Sequence, residues 1–296
     1  MRAAQYQILT KILSNVTVPS YVHAFERGRS IPSMAAQHVG KAVVVSLDLK
    51  DFFSSIKQGH LFDIFCHLGV AEKPARLLSE LCTYESFVPQ GALTSPKLSN
   101  IVSSLTFGPI IERYCTERGY TLTVYADDIT VSVEENLAYE AGADPVRELI
   151  RFVQRTVSSF GFRVNHEKTK VMRRHNRQYV CGVVVNTKTN LQQEERRKLR
   201  AIVHNTVKNG VASEAARSGL GESEFVSHIG GRLNWLAQLN PEAGNPLKER
   251  FKVCTDLYKE LLSSSGSREL ETQAAEGCDS SEVTGPETSQ TQQPQP

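Results

Sequence analysis

Asp127 and Asp128 are adjacent in sequence, and a third carboxylate, Asp48, precedes them by 79 positions. The adjacent pair lies between Leu122-Thr123-Val124-Tyr125 and Ile129-Thr130-Val131-Ser132-Val133, two alternating runs that read as a β-hairpin with acids at its tip. Asp48 closes Ala42-Val43-Val44-Val45-Ser46-Leu47, an apolar, β-branched run that predicts a buried central strand. Like charges held close repel, and burial makes ionisation costlier, so a fold tolerates such a cluster best when a cation neutralises it. Hard carboxylate oxygens suit magnesium. Two such ions can activate a hydroxyl nucleophile and stabilise a leaving oxygen during in-line displacement at phosphorus. A solvated turn is the ordinary fate of a lone Asp-Asp pair. The strand-turn-strand setting is what separates this pair from that case.

Other elements must position these acids. Helices are predicted over Ala3–Leu13, His60–Leu68 and Lys73–Tyr84. After the break at Pro89-Gln90-Gly91, a single helix is predicted from Ser95-Pro96, with Ser at the N-cap, to about Arg118 before Gly119. Asp144-Pro145 opens another, with Val146, Leu149, Ile150, Val153 and Val157 at helical spacing and Gly161 as its stop. Tyr179–Val185 reads as a strand, and the chain from Gln192 to Leu262 reads as purely helical, in about three segments.

Of 296 residues 40% are hydrophobic and 22% charged, enough for one large core or two modest ones. The net charge of +2 hides an asymmetry. Residues 263–296 hold six acids and one base, a charge of −5, so residues 1–262 carry +7. A basic body suits a polyanionic partner. The six cysteines are scattered without a CxxC pair, which points to reduced thiols rather than a zinc site or disulfide framework. No apolar run approaches the roughly 18 residues that a membrane span needs. With no apolar signal region either, no membrane association and a cytoplasmic location are expected.

Four segments occur in a telling order: Leu47-Asp48-Leu49-Lys50-Asp51-Phe52-Phe53, Pro89-Gln90-Gly91-Ala92-Leu93-Thr94-Ser95-Pro96, Tyr125-Ala126-Asp127-Asp128 and Asn165-His166-Glu167-Lys168-Thr169. Together they resemble reverse transcriptases, most closely those of bacterial retrons. Met34-Ala35-Ala36-Gln37-His38 and Val180-Cys181-Gly182 stand where retron enzymes carry Asn-Ala-x-x-His and Val-Thr-Gly. The resemblance covers most of residues 1–262. It implies an α+β fold: a polymerase palm with an antiparallel sheet and packed helices, then an all-helical thumb and a disordered C-terminal tail. The expected divisions are a partial fingers segment at 1–40, the palm at 41–188, the thumb at 189–262 and the tail at 263–296. Composition supports the last of these, because 263–296 holds almost no large apolar side chain.

By this resemblance, Asp48, Asp127 and Asp128 are the catalytic ligands of two Mg²⁺ ions, aided by the backbone carbonyl of Leu49. Phe53 would lie under the sugar of the incoming nucleotide, where a ring collides with a ribose 2′-OH and so favours dNTPs; core packing is its plainer reading. Gln90 would contact nucleotide and template, or is simply hydrated. Lys168 would stabilise charge on the leaving pyrophosphate, or is a solvated lysine. Asp51 lies near the triphosphate or caps a helix, and Tyr125 packs near the primer end. Arg196, Arg197 and Arg200 precede or interleave an apolar stripe of Leu199, Ile202, Val203 and Val207, and would track phosphates; a charge run is otherwise a solvated face.

The resemblance further implies a structured noncoding RNA as template and primer, an accessory effector protein and a role in antiphage defence. Reverse transcriptases place a basic fingers hairpin ahead of the first helix. No such strand-turn-strand pattern precedes Asp48, so that hairpin is expected to be missing, through a misplaced start, a split gene or decay. The alternative to a polymerase is a noncatalytic RNA-binding scaffold.

Overall fold

The computed structural model describes residues 1–134 and 144–276. β1 (Val43–Leu49), β2 (Thr121–Tyr125), β3 (Asp128–Val133) and β4 (Val164–Arg173) form one antiparallel sheet in the order β2-β3-β1-β4. The strands expected up to Asp48 and on both sides of Asp127-Asp128 are present as β1, β2 and β3, and β1 lies centrally as its apolar run predicts. Residues on a strand alternate between faces. Val43, Val45, Leu47 and Leu49 accordingly join Ile129, Val131 and Val133 in the main core. Ser46 and Asp48 share the opposite face with Asp128, Thr130 and Ser132, as their pairing register requires. At the β2 edge, residues 21–23 run alongside, with His23 N–H donating to Val124 O at 2.8 Å and Val124 N–H to Tyr21 O at 2.7 Å. This segment satisfies edge groups that would otherwise be open to pairing.

The helices are α1 (Arg2–Lys11), α2 (Ile31–Ala36), α3 (Phe52–Ser55), α4 (Gln58–His67), α5 (Glu72–Leu81), α6 (Ser95–Leu105), α7 (Phe107–Glu117) and α8 (Pro145–Ser159). They continue as α9 (Gln193–Asn209), α10 (Val211–Ser218), α11 (Glu222–Leu239) and α12 (Pro241–Glu276). The apolar stripe of α8, with Val146, Leu149, Val153 and Val157, joins the core cluster of the sheet. Its N-cap Asp144 accepts from Arg147 N–H at 3.1 Å, an interaction typically worth about 1 kcal/mol.

Several expectations need correction, among them the three helical segments after Gln192, which are four, α9 to α12. The single helix over 95–118 is two, broken at Thr106 (φ −115°, ψ −104°). Pro109 cannot donate to the turn before it and its ring crowds the carbonyl four residues back, so one continuous helix is disfavoured. Gly108 allows the resulting close approach: a Cβ there would sit 2.4 Å from the Tyr21 hydroxyl and the Ser103 carbonyl. At the start of α6 the N-cap is Thr94 rather than Ser95, and the Ser95 hydroxyl donates instead to Pro89 O at 2.6 Å. Tyr179–Val185 is a hairpin rather than one strand: β5 (Tyr179–Val180) pairs with β6 (Val183–Val184) across Cys181-Gly182. Both turn residues have positive φ, 45° and 82°, as a two-residue hairpin favours.

The chain divides into two compact units. One holds residues 1–197 with 235–244, the other 198–234 with the chain from 245 onward. In the second unit, Phe225 and Phe251 lie 6.3 Å apart between ring centroids, and Leu199, Val203, Ile229 and Leu233 are buried. Val207, expected on the inward stripe, is 48% exposed, and Thr206 is buried in its place, three residues on from Val203. α12 continues through 263–276, part of the expected tail, where Arg, Glu, Leu, Gln and Ala are good helix formers. The rest of that tail, 277–296, lies outside the described residues. No described helix is long and apolar enough to cross a membrane.

Candidate active site

The register of β1 and β3 pairs Asp48 with Asp128, and β3 pairs Asp128 with Tyr125 across the two-residue turn Ala126-Asp127. The adjacent pair and the carboxylate 79 positions before it are thereby neighbours at one end of the two central strands. Ala126 adopts the left-handed conformation (φ 53°), which costs a residue with a Cβ about 1–3 kcal/mol and is tolerated where surroundings hold it. Part of that hold is visible: Leu49 N–H donates to Asp127 O at 2.8 Å, tying the turn to the end of β1.

Each acid has its own surroundings. Asp128 accepts from the Ser46 hydroxyl at 3.0 Å on Oδ1 and from the Cys181 thiol at 3.7 Å on Oδ2. Burial lifts its carboxyl above the usual range, and those two donors oppose the lift. Asp127 is also raised, first by burial and then by the charge of Asp48. Asp48 faces Lys168, whose Nζ lies 3.1 Å from Oδ1 and 3.2 Å from Oδ2. The contact raises the Lys168 ammonium, which is 63% exposed at the side chain against 18% for Asp48.

An irregularity in β4 brings Lys168 there. Ser46 pairs with Lys170 and Asp48 with Asn165, so β4 spends five residues where β1 spends two. The excess bulges out of the ladder and re-aims its side chains, a familiar use of a bulge beside a site.

The remaining candidates are distributed differently. Leu49 is buried at the end of β1, directly beside Asp48. Tyr125 lies next to the turn with its ring 6.2 Å from that of Phe25. Phe52 is the core ring, while Phe53 is only partly buried against it at 5.9 Å. Asp51 occupies the N-cap position of α3 at φ 50°, yet its side chain makes no capping hydrogen bond. Gln90 is exposed in the loop before α6. Arg196 lines a separate depression with Arg177 and Lys188, and its Nε is buried without a partner. Arg197 and Arg200 are exposed on α9, Arg200 within the second unit.

Two contributors, Ser46 and Cys181, are not among the candidates that the sequence picks out. Ser46 carries a signal, since two positions before Asp48 on a strand means the same face. Cys181 stands in the Val180-Cys181-Gly182 segment, but nothing local signals its contact with Asp128, which depends on how the β5–β6 hairpin folds back. Behind them His38 is buried, its Nδ1 2.7 Å from Ser132 Oγ and its Nε2 2.7 Å from Thr123 Oγ1, which fastens the segment after α2 to β2 and β3. Burial holds its pKa down at about 3.

Three crowded carboxylates with hard oxygens, two of them, Asp127 and Asp128, with raised proton affinity, are the donor set a divalent cation would suit. Among the described residues no three His, Cys, Asp or Glu side chains stand in an arrangement that would hold a metal ion as they are, and an ammonium stands against Asp48.

The sequence matches the family described as reverse transcriptase (RNA-dependent DNA polymerase) over residues 1–199. It is 37% identical over 270 residues to the retron Mx65 reverse transcriptase of Myxococcus xanthus, covering 85% of this chain and 59% of that protein. It is 27% identical over 245 residues to the retron Ec86 reverse transcriptase of Escherichia coli, covering 82% and 70%. With the retron Mx162 reverse transcriptase of Myxococcus xanthus it shares 32% identity over 255 residues, 76% of this chain and 52% of that one. The chain thus spans between about half and seven tenths of these relatives. The family match takes in the strand that ends at the first acid, the hairpin that carries the other two and the bulge that brings up the lysine, and the chain belongs to the reverse transcriptase family, with retron enzymes among its relatives.

Proposed function

We propose that this chain is a retron-type RNA-directed DNA polymerase that extends a primer 3′ end with dNTPs on a structured noncoding RNA. Its product is single-stranded DNA joined to RNA, made in the service of antiphage defence with an accessory effector protein. The observation that carries this reading is the register that draws Asp48, Asp127 and Asp128 together.

In this reading the three aspartates hold two Mg²⁺ ions, which when bound neutralise charge on the attacking hydroxyl and the leaving pyrophosphate. Ser46 and Cys181 keep Asp128 oriented by donating to both of its oxygens. Lys168, beside Asp48, would offer charge or a proton to the leaving group. Phe53, only partly buried, presents its ring to the nucleotide sugar and rejects a 2′-OH. Leu49 and Asp51 frame the nucleotide with backbone groups, Gln90 meets it from the loop before α6, and Tyr125 supports the primer end. Arg196, Arg197 and Arg200 contact the phosphates of the template duplex.

Primer extension tests the proposal, using the full chain with an RNA template, an annealed primer, Mg²⁺ and dNTPs. Template-dependent incorporation, lost with Asp127→Ala, is expected. Failure to incorporate both here and in a longer polypeptide resembling the full-length relatives, with RNA still bound tightly, would leave a noncatalytic RNA-binding scaffold instead.

A further inference from the structure

A row of basic side chains runs along a part of the first unit that the carboxylates do not use. On α8, Arg147, Arg151 and Arg155 are all exposed. They recur every four residues, about 6 Å apart along the helix axis. Arg155 shares a surface depression with Lys50 and Arg163, and the three α8 arginines line the next one. Lys50 and Arg163 are fastened side by side, Lys50 N–H donating to Arg163 O at 2.8 Å. Three separate segments therefore supply one continuous basic row: the turn after β1, the helix α8 and the turn before β4.

Counter-charges are few. Asp144 is engaged as the cap of Arg147 N–H. Glu148 accepts from the Tyr114 hydroxyl at 3.3 Å and from Arg118 at 3.4 Å. None of the five basic residues is ion-paired among the described residues. A solvated helix face ordinarily mixes signs, because a row of one sign repels itself. A polyanion laid along the row relieves that repulsion.

We propose that this row is a docking track for an RNA strand outside the copying site. The α8 stripe packs with the apolar face of the sheet, so the track lies on the side opposite the carboxylates, and only its Lys50 end comes near them. The roughly 6 Å interval suits successive phosphates of one strand, and guanidinium forks suit phosphate oxygens. Since charge alone does the recognising, binding follows the RNA backbone rather than its sequence. The inference rests on the reading above that the partner is RNA, and it assigns a second surface to that partner.

The test uses the full chain and a labelled RNA hairpin of roughly 20 base pairs, longer than the span a duplex-binding module covers. Kd is measured over a salt series for the unaltered chain and for the triple variant Arg147→Ala/Arg151→Ala/Arg155→Ala. Alanine favours helix at all three positions, so the melting temperature is expected to hold. Affinity should fall about tenfold or more, and the slope of log K against log[salt] should shrink by about two to three. Arg→Lys at the same positions should restore most of both. Extension of a short template–primer should stay within about twofold. Unchanged RNA affinity and salt slope would overturn the proposal and leave the face to another acidic partner, such as a protein. Equal losses in binding and in short-primer extension would also overturn it, by placing these residues in the copying site. A chain that incorporates nothing would count against the polymerase reading while leaving the binding result intact.

Discussion

Adjacent residues of β1 face opposite environments. Val43, Val45, Leu47 and Leu49 enter a core built with α4, α6, α7 and α8. Ser46 and Asp48, one peptide unit away, look onto a face that carries Thr123, Thr130, Ser132, Asp128 and, reaching over, His38. Thr123, Thr130, Ser132 and His38 are themselves almost fully buried, so the contrast is not simply inside against outside. One face is held by area removed from water. The other is held by paired donors and acceptors, and burial there raises the proton affinity of Asp128. Stability and chemistry are thus written on alternate letters of the same strands, and they should be separable by mutation.

The largest expected separation is at Asp127→Asn or Asp128→Asn. Each should cut incorporation about a thousandfold, the scale of losing a group that stabilises transition-state charge. Thermal melting should show no loss of stability, since a repelling charge is removed; a fall of several degrees would blur the distinction between the faces. Ile129→Ala, next door on the core face, should do the reverse. Urea titration should show a loss of about 2–5 kcal/mol, while incorporation well below the melting point stays within a few-fold.

His38 offers a third test, through pH. Its folded pKa is about 3. The unfolded value is about 6.5, so below that pH the unfolded chain takes up a proton that the folded chain refuses. The contribution is therefore intact above pH 6.5 and drains as pH falls toward 3. Compared with His38→Gln, the native protein should lose about 2 kcal/mol more stability between pH 7.5 and pH 5. Parallel denaturation curves for the two would show that the histidine is not buried as described. The smallest effect is expected at Cys181. Cys181→Ala removes one donor from Asp128 and should lower incorporation severalfold, about 1 kcal/mol, whereas Cys181→Ser should keep most of it. Equal rates for both would mean that the thiol merely fills space.

Much of this arrangement is legible in the sequence, because period-two alternation and a two-residue turn are local signals. The run Val43–Leu47, the Asp127-Asp128 hairpin and the α8 stripe all declare themselves within a few residues. Some local signals are present and outweighed: Gly108-Pro109 marks the break at Thr106, but the apolar spacing on either side reads straight through it. Other features have no local signal. The Cys181–Asp128 contact joins residues 53 positions apart, and Lys168 reaches Asp48 only because of surplus residues that matter solely when β4 is laid against β1. The basic row on α8 is likewise assembled from three segments, and only one of them looks like a stripe in sequence.

That surplus in β4 also bears on how this protein can change over evolutionary time. Elsewhere in the sheet, gaining or losing a single residue within a strand would turn every later side chain over, sending Asp48 or Asp128 into the core and a leucine or isoleucine into the site. Substitution is open to these strands, but insertion and deletion are not. The stretch opposite Ser46–Asp48 is already out of step with its neighbour. There, length itself can drift without inverting the sheet, and each added or removed residue would move the lysine's reach rather than the acids.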